Sequence, residues 1–237
     1  VSVITTDLAI GRGLHPGGGV TLDTPLGSVL GNDCGSLTVR INTLILEGMP
    51  FVATDLPNVL TITRRSALPG LWLGMPVFGA CVAMINPDDH VVVFLPPEAT
   101  LPRAAKTTPL DLTPRGMQVQ ARVNSSGSRA WTVSTGSPGT LIPLDLVKSL
   151  GLQVENEREV RSPTGGKCRI GTVTLKELTV GSVRFNNVRA VTVVSGHEIA
   201  VGVLGTDILL RHQLYINCGR RLIGFVPRKL ERPPEQN

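Results

Sequence analysis

Apolar positions in this chain occur in short runs rich in Val, Ile, Leu and Thr, and glycine and proline separate these runs. Runs of this length, bounded by turn-forming residues, predict short β-strands. The clearest candidate strands are Leu37–Leu46, Val91–Leu95, Gln118–Val123, Arg129–Val133, Val173–Val180 and Val188–Val194. The segment Pro143–Leu150 is different, because its leucines and valine share one face of a helix. The pattern therefore predicts an all-β fold with one short helical stretch.

An internal repeat determines how these elements are organised. Two segments 131 residues apart share the spacing Leu-Gly, Ile-Asn, Phe: Leu73-Gly74, Ile85-Asn86 and Phe94, and Leu204-Gly205, Ile216-Asn217 and Phe225. Upstream pieces also match: Ser36–Val39 with Leu44 and Phe51, and Thr172–Leu175 with Leu178 and Phe185. A period of this length is too long for a solenoid. It indicates two similar lobes in one chain, related by a pseudo-twofold axis and paired with each other intramolecularly.

Changes in composition suggest where the lobes begin and end. We assign 1–100 to the first lobe and 117–228 to the second. The intervening 101–116 is polar and carries several prolines, which is typical of a linker. Residues 229–237 form a charged tail that contains proline.

The charge is unevenly distributed. Residues 1–114 have a net charge of −3, whereas residues 115–237 have a net charge of +8. A basic second lobe is expected either as an ordinary solvated surface or as a site for an anionic partner, such as RNA or an acidic protein. The chain has one Tyr and two Trp, so few side chains are available to stack on bases. A role in a larger assembly through this lobe stays open.

The cysteines and histidines do not form a metal-binding pattern. The residues are Cys34, Cys81, Cys168 and Cys218, and His15, His90, His197 and His212. Their spacing does not match a zinc motif, and we expect no metal and no cofactor. No apolar run approaches the ~20 residues that cross a bilayer. Four cysteines in a chain of this length favour a reducing intracellular compartment, the cytosol or an organelle matrix.

Candidate chemistry lies in the second lobe. The predicted strand Arg129–Val133 ends in the turn Ser134-Thr135-Gly136-Ser137, and a hydrophobic segment and the predicted helix follow. A turn of small residues after an apolar strand can present a side chain at the floor of a cleft. Downstream, Glu159–Arg169 predicts a hairpin with Gly165 and Gly166 at its tip, and Val201–Leu209 follows two strands later.

This order of parts resembles the retropepsin-like aspartic proteases between Gln118 and about Pro227. In that family a strand enters an Asp-Thr-Gly turn, a flap hairpin follows, and an apolar-apolar-Gly-x-Asp-x-Leu segment leads into a helix. The segment Val203–Leu209 is the best match. The resemblance implies two acid-protease-type β-barrels and a peptide-binding cleft between them. Ser134, Thr135 and Gly136 then occupy the catalytic turn, with Ser134 where the family has its aspartate.

The first lobe follows the same plan less completely. Trp72–Phe78 matches the apolar-apolar-Gly segment, with Pro76 in place of Asp207. The hairpin equivalent to the flap then falls at Val20–Val29, where we interpret Asp23, Thr24 and Pro25 as a turn. The catalytic turn of this lobe falls at or before residues 1–11, where Asp7 is the only acidic candidate.

The resemblance also implies which residues contact a peptide. These are Ser137 in the turn, Thr164, Gly165 and Gly166 in the second flap, and Asp23, Thr24 and Pro25 in the first. We expect Thr135 to hydrogen-bond across the pseudo-axis and Gly136 to permit a tight turn.

Three functions are compatible with these residues. The first is a catalytically degenerate pseudoprotease that acts as a scaffold or a peptide-binding component. The second is an active aspartic endopeptidase with an unconventional dyad or a carboxylate supplied from elsewhere. The third is an all-β binding domain unrelated to proteases, in which only the repeat is meaningful.

Overall fold

The computed structural model describes residues 1–24, 27–54, 70–114, 116–161, 166–196 and 198–228. The first part of this described chain contains β1 (Ser2–Ile4), α1 (Thr6–Gly11), β2 (Gly17–Thr24), β3 (Gly27–Ile41), β4 (Leu44–Ala53), β5 (Leu71–Trp72), α2 (Met75–Ala80), β6 (Val82–Asn86) and β7 (Val91–Leu95). The second part contains β8 (Lys106–Pro109), β9 (Asp111–Thr113), β10 (Gly116–Val123), β11 (Arg129–Val133), α3 (Leu144–Ser149), β12 (Glu155–Arg161), β13 (Lys167–Val180), β14 (Val183–Ser195), β15 (Gly202–Leu204), α4 (Thr206–Leu209), β16 (His212–Asn217) and β17 (Leu222–Pro227). None of the helices in these ranges is long and apolar enough to span a membrane.

Most of the predicted elements are confirmed. Two predicted strands coincide with β7 and β11, three lie within β10, β13 and β14, and the predicted helix contains α3. The prediction of a single strand over Leu37–Leu46 is wrong, because Asn42 and Thr43 form the turn between β3 and β4. Asn42 has a φ of 52°, a left-handed conformation that asparagine tolerates well. Apolar residues continue on both sides of this turn, so periodicity alone did not reveal it.

Three sheets organise the chain. The first lobe is a sheet in the order β2-β3-β4-β1-β5, and the second lobe is a sheet in the order β12-β13-β10-β11-β15, with β14 on β13 and β9 on β10. The third sheet has the order β7-β6-β16-β17-β8 and takes strands from both parts of the chain. We call it the inter-lobe sheet. It joins the lobes within one chain, as the tandem repeat predicts.

The pairing of β6 with β16 has the register that a pseudo-twofold axis requires. In this antiparallel pair Ile85 lies opposite Leu214, Met84 opposite Tyr215, and Ala83 opposite Ile216. Met84 and Tyr215 are 131 positions apart, so each faces its own repeat counterpart. The axis therefore passes through this pair, and the all-β architecture of two similar lobes is confirmed.

The upstream half of the sequence repeat was aligned in the wrong register. The β3–β4 hairpin closes with Ile41 opposite Leu44, and the β13–β14 hairpin closes with Val180 opposite Val183. The counterpart of Leu44 is therefore Val183 and not Leu178. The sequence alignment matched similar apolar residues that lie at different distances from the two turns.

The segment assigned to a linker, 101–116, contains two short strands. Strand β8 pairs with β17 at one edge of the inter-lobe sheet, and β9 pairs with β10. Thr108 and Leu110 are buried there. This segment therefore connects the lobes while being part of their sheets.

The cores of the two lobes are unequal. The larger cluster of buried side chains combines the second lobe with the inter-lobe sheet, and includes Trp131, Leu204 and Ile216. The smaller cluster fills the first lobe around Phe51 and Val77. Burial of this apolar surface is the main force that holds the second lobe against the shared sheet.

Candidate active site and peptide cleft

The turn that begins at Ser134 is held at the end of two buried parallel strands. Strands β11 and β15 pair with Trp131 opposite Gly202 and Val133 opposite Leu204. The backbone N–H of Ser134 then donates to the carbonyl of Leu204 at 3.0 Å. A Cβ on Gly202 would come within 2.4 Å of the Trp131 ring. The close approach of these strands requires glycine there and fixes where Ser134 emerges.

The remainder of the turn is anchored to α4 by Ser137. The N–H and the hydroxyl of Thr206 donate to the Ser137 carbonyl at 2.8 and 3.2 Å. The Ser137 hydroxyl donates to the carbonyl of Gly139 at 2.7 Å. Ser137 was predicted to contact substrate, and the structure gives its hydroxyl and carbonyl these bonds within the protein.

A second anchor lies directly below the turn and was missed by the sequence analysis. The fully buried hydroxyl of Thr140 donates to Asp207 Oδ1 at 2.8 Å and accepts from the N–H of Gly205 at 3.4 Å. An added Cβ on Gly205 would meet the backbone of Gly139 at 2.4 Å. In the first lobe the N–H of Gly74 donates to the buried hydroxyl of Ser2 at 3.0 Å. The two hydroxyl residues are therefore repeat counterparts.

The exposed part of the turn offers hydroxyl groups and open space. Ser134 and Thr135 are half-buried, and Gly136 is exposed. Gly136 lacks the left-handed φ that would demand glycine, and a Cβ there would meet only Ser134 Oγ at 3.9 Å. Gly136 does lie in a tight turn, closed by the N–H of Ser137 on the carbonyl of Ser134 at 3.4 Å, but its backbone conformation does not require glycine. Its small size leaves the space around the turn open.

Ser134 has no acid–base partner in the part of the chain that the structure describes. There, no acid, histidine or lysine side chain hydrogen-bonds to Ser134 Oγ, and the cross-axis bond expected from Thr135 is not among the hydrogen bonds present. The same ranges contain no group of His, Cys, Asp and Glu side chains that could hold a metal ion. A serine hydroxyl in this setting can donate and accept hydrogen bonds, but it lacks an activating base.

Asp7 does not lie at the counterpart of Ser134. It lies in the first turn of α1, as Asp145 does in α3. The two helices also end in the same way. The N–H of Leu14 donates to the carbonyl of Ala9, and the N–H of Leu152 donates to the carbonyl of Val147. The spacing Asp-Leu to Gly-Leu occurs in both segments and could have revealed this match. By this match Asp7 corresponds to Asp145, and its catalytic role stays a prediction.

Both predicted flaps are hairpins, although their tips lie outside the described residues. In the first, β2 and β3 pair with Asp23 opposite Ser28 and Thr24 opposite Gly27. Asp23 and Thr24 thus end a strand, and Pro25 lies outside the described residues. In the second, β12 and β13 pair, and Gly166 is exposed just before β13. Thr164 and Gly165 lie outside the described residues.

Comparisons with known proteins agree with this geometry. Residues 119–208 match the family model described as aspartyl protease. The aspartic proteinase from Irpex lacteus superposes with a TM-score of 0.52 at 14% identity, and the match covers 96% of this chain and 83% of that one. A retropepsin-like aspartic protease from Rickettsia conorii matches 51% of this chain and 89% of its own at 17% identity, with a TM-score of 0.39. A search of curated protein sequences found no significant match.

The two lobes, the shared sheet and the turn at the end of β11 define an aspartic-protease-type fold. The match to the aspartyl protease family lies in the second lobe, over residues 119–208. The interpretation as an unrelated all-β domain is therefore set aside.

Proposed function

We propose that this protein is a catalytically degenerate member of the aspartic protease fold. In this proposal it holds an extended peptide or protein segment in the cleft between its lobes and acts as a scaffold or binding component. The observation that supports this is Ser134, a hydroxyl residue at the end of β11 where the family has a carboxylate.

The chemistry of the family explains why this residue matters. Two adjacent carboxylates share one proton, so that one acts as base on water while the other donates to the scissile carbonyl. A serine hydroxyl ionises far above neutral pH and cannot replace that base. General acid–base help contributes ~10²–10⁴-fold to rate. Even with a carboxylate opposite it, Ser134 would leave hydrolysis severely reduced.

Three features of the rest of the site support the proposal of peptide binding. The turn is firmly anchored, Gly136 leaves its outer surface open, and both flap hairpins are present. An extended peptide can bind by adding backbone hydrogen bonds to such hairpins. The hydroxyl of Ser134 can donate to a peptide carbonyl without attacking it.

The test compares the native chain with Ser134→Asp and Gly136→Leu on one library of extended peptides, from acidic to neutral pH. We expect the native chain to bind a subset of the peptides and cleave none. Gly136→Leu should weaken binding at least tenfold, because its side chain projects into open space above the turn. Cleavage is measured by mass spectrometry and binding by capture on immobilised chain.

Matched controls separate these effects from general ones. Ser128→Asp adds the same charge on the exposed β10–β11 turn, and Gly127→Leu adds the same side chain where nothing lies within 4 Å. Both should behave like the native chain. Cleavage by Ser134→Asp but not by Ser128→Asp would locate the loss of activity at this hydroxyl. A native chain that neither binds nor cleaves would contradict the proposed cleft function.

An active aspartic endopeptidase is the alternative, and the aspartyl protease match over 119–208 is the observation that favours it. Cleavage by the native chain, blocked by a transition-state mimic of aspartic proteases, would replace our proposal with this one. The search would then turn to the source of the second carboxylate.

The compartment is part of the proposal. All four cysteines are free thiols, and three of them are buried. A reducing intracellular compartment would keep them in this state.

A further inference from the structure

Cys81 and Cys218 each lie one residue beyond the last pair of the β6–β16 ladder, where the two lobes meet. The pairing of β6 with β16 ends with Val82 opposite Asn217. Cys81 immediately precedes Val82, and Cys218 immediately follows Asn217. Extending the antiparallel register by one position, to the residue where the β16–β17 turn begins, sets the two cysteines opposite one another. The backbone of Cys81 remains extended, with φ of −152° and ψ of 170°, so it continues the line of β6.

The side chains of the two cysteines are on the same face of the inter-lobe sheet. Side chains alternate along a strand, so Cys81 shares a face with Ala83, and Cys218 shares a face with Ile216. Ala83 and Ile216 are themselves opposite one another. Directly opposed residues in an antiparallel pair have Cα atoms about 4.5–5.5 Å apart. Disulfides form at Cα separations of about 4.4–6.8 Å.

The surroundings of the two thiols agree with this placement. Each residue is only 3% exposed. Burial raises the pKa of both thiols, and for Cys218 the nearby Cys81 adds to burial and brings the pKa to about 11. The Cys81 thiol donates to the carbonyl of Val77 at 3.1 Å, and the Cys218 thiol lies 3.8 Å from Met117 Sδ, so both side chains must rotate to form a disulfide.

We propose that Cys81 and Cys218 form an oxidation site, in which a disulfide covalently joins the first lobe to the second. The oxidant is a small disulfide such as oxidised glutathione. One cysteine thiolate attacks it and releases one glutathione thiol. The second cysteine then attacks the mixed disulfide and releases the other. Two electrons and two protons pass from the cysteines to two molecules of glutathione.

The position of this bond determines what it does. It lies at one end of the strand pair through which the pseudo-twofold axis passes, so it fixes the register of one lobe against the other. At the opposite end, the repeat offset of 131 places Pro87 and His212 at the corresponding positions, where no disulfide can form. High thiol pKa values and burial make the reaction slow in the folded chain. Oxidation then requires either transient opening of the inter-lobe sheet or folding in the presence of the oxidant.

The remaining cysteines provide internal controls. Cys34 lies in β3 of the first lobe, and Cys168 lies in β13 of the second. These strands belong to different sheets. Neither residue continues the β6–β16 register, so we expect both to stay reduced under conditions that join Cys81 to Cys218.

The test uses the full chain, refolded from denaturant either with glutathione at an oxidising ratio or with dithiothreitol. Free thiols are then alkylated under denaturing conditions, and tryptic peptides are mapped by mass spectrometry. We expect one cross-linked species that contains Cys81 and Cys218, while Cys34 and Cys168 are alkylated. The oxidised chain should also unfold at a higher urea concentration than the reduced chain.

Variants make this result decisive. Cys81→Ser and Cys218→Ser should each abolish the cross-link and the shift in urea midpoint, whereas Cys34→Ser should change neither. Full alkylation of both Cys81 and Cys218 after oxidative refolding would overturn the proposal. So would a dominant cross-link that pairs either residue with Cys34 or Cys168. Neither outcome depends on whether the cleft binds peptides, so this inference stands apart from the proposed function.

Discussion

At the scale of single residues, the folded structure changes the pKa of His212 through the groups that surround its ring. Its ring makes edge contacts with Phe185 and Phe225 at centroid distances of 5.4 and 5.9 Å. Its Nδ1 atom is buried and has no hydrogen-bond partner among the described residues. Burial lowers the pKa of His212, and the positive charges of Lys106 and Arg211 lower it further. The folded chain therefore favours the neutral imidazole.

This lowered pKa predicts a loss of stability in acid. Below the unfolded pKa of about 6.5 the unfolded chain binds the proton more readily than the folded chain. Stability should therefore be full above about pH 6.5 and fall as the pH drops through the lower pKa of the folded state. His212→Phe should flatten this part of the curve, which urea unfolding between pH 5 and 8 would measure. Exposed His15→Gln serves as the control, and an unchanged acid slope in His212→Phe would count against the assignment.

At the scale of elements, each lobe has a buried hydroxyl residue that is hydrogen-bonded to the segment leading into a helix. The two lobes differ in the number of these hydrogen bonds. In the second lobe Thr140 joins the segment after the turn to α4 by two hydrogen bonds, one of them to Asp207. In the first lobe Ser2 makes one such bond, to Gly74, and Pro76 stands where the second lobe has Asp207. The match to the aspartyl protease family lies in the lobe with the fuller set of bonds.

This difference predicts unequal costs for similar substitutions. Thr140→Val keeps the shape of the side chain but leaves both Asp207 Oδ1 and the N–H of Gly205 unpaired. Leaving buried polar groups unpaired costs about 1–3 kcal/mol. Ser2→Ala leaves only the N–H of Gly74 unpaired and should cost less. Urea unfolding of the two variants compares these costs directly, and equal losses would show that the bond to Asp207 contributes little.

At the scale of the whole molecule, positive charge collects on the outer face of the second lobe. Arg122 and Arg184 lie on either side of Thr179 in neighbouring strands, and Arg189 lies opposite Thr174. All three arginines are exposed. Among the described residues, only Arg184 of these three has a carboxylate within 4 Å, that of Glu177 at 3.8 Å, and exposed pairs of this kind contribute little. An anionic partner for the second lobe stays a prediction.

If RNA is that partner, binding should depend strongly on salt. We expect the chain to bind polyuridylate at low salt. The logarithm of the binding constant should then fall linearly with the logarithm of the salt concentration. Replacing Arg122 and Arg189 by Gln should weaken binding and reduce the slope, as measured by fluorescence anisotropy. Replacing Arg12 and Arg40, which are exposed in the first lobe, should have little effect. Binding that does not change with salt would exclude a mainly electrostatic mode.

Much of the architecture was predictable because it is local or repeated. Strand β7 and strand β11 follow from apolar runs between turn residues, and α3 follows from its helical face. The Leu-Gly to Phe spacing revealed the offset of 131 residues that separates Met84 from Tyr215, which face each other at the pseudo-axis. The β3–β4 turn was missed because the two polar residues Asn42 and Thr43 are a short interruption between apolar segments. Asp7 was considered because it is the only acidic residue in 1–11, and its spacing to Gly13-Leu14 was overlooked.

The sequence by itself determined the β class, the two lobes and the serine at the end of β11, because side-chain periodicity and repeat spacing are properties of the linear chain. The tertiary structure decided what those residues touch. It showed that Thr140 supports the turn and that strand β6 of the first lobe pairs with strand β16 of the second. Such contacts depend on which apolar faces pack together and in what strand register. That choice is made by burial over the whole molecule, and no local pattern encodes it.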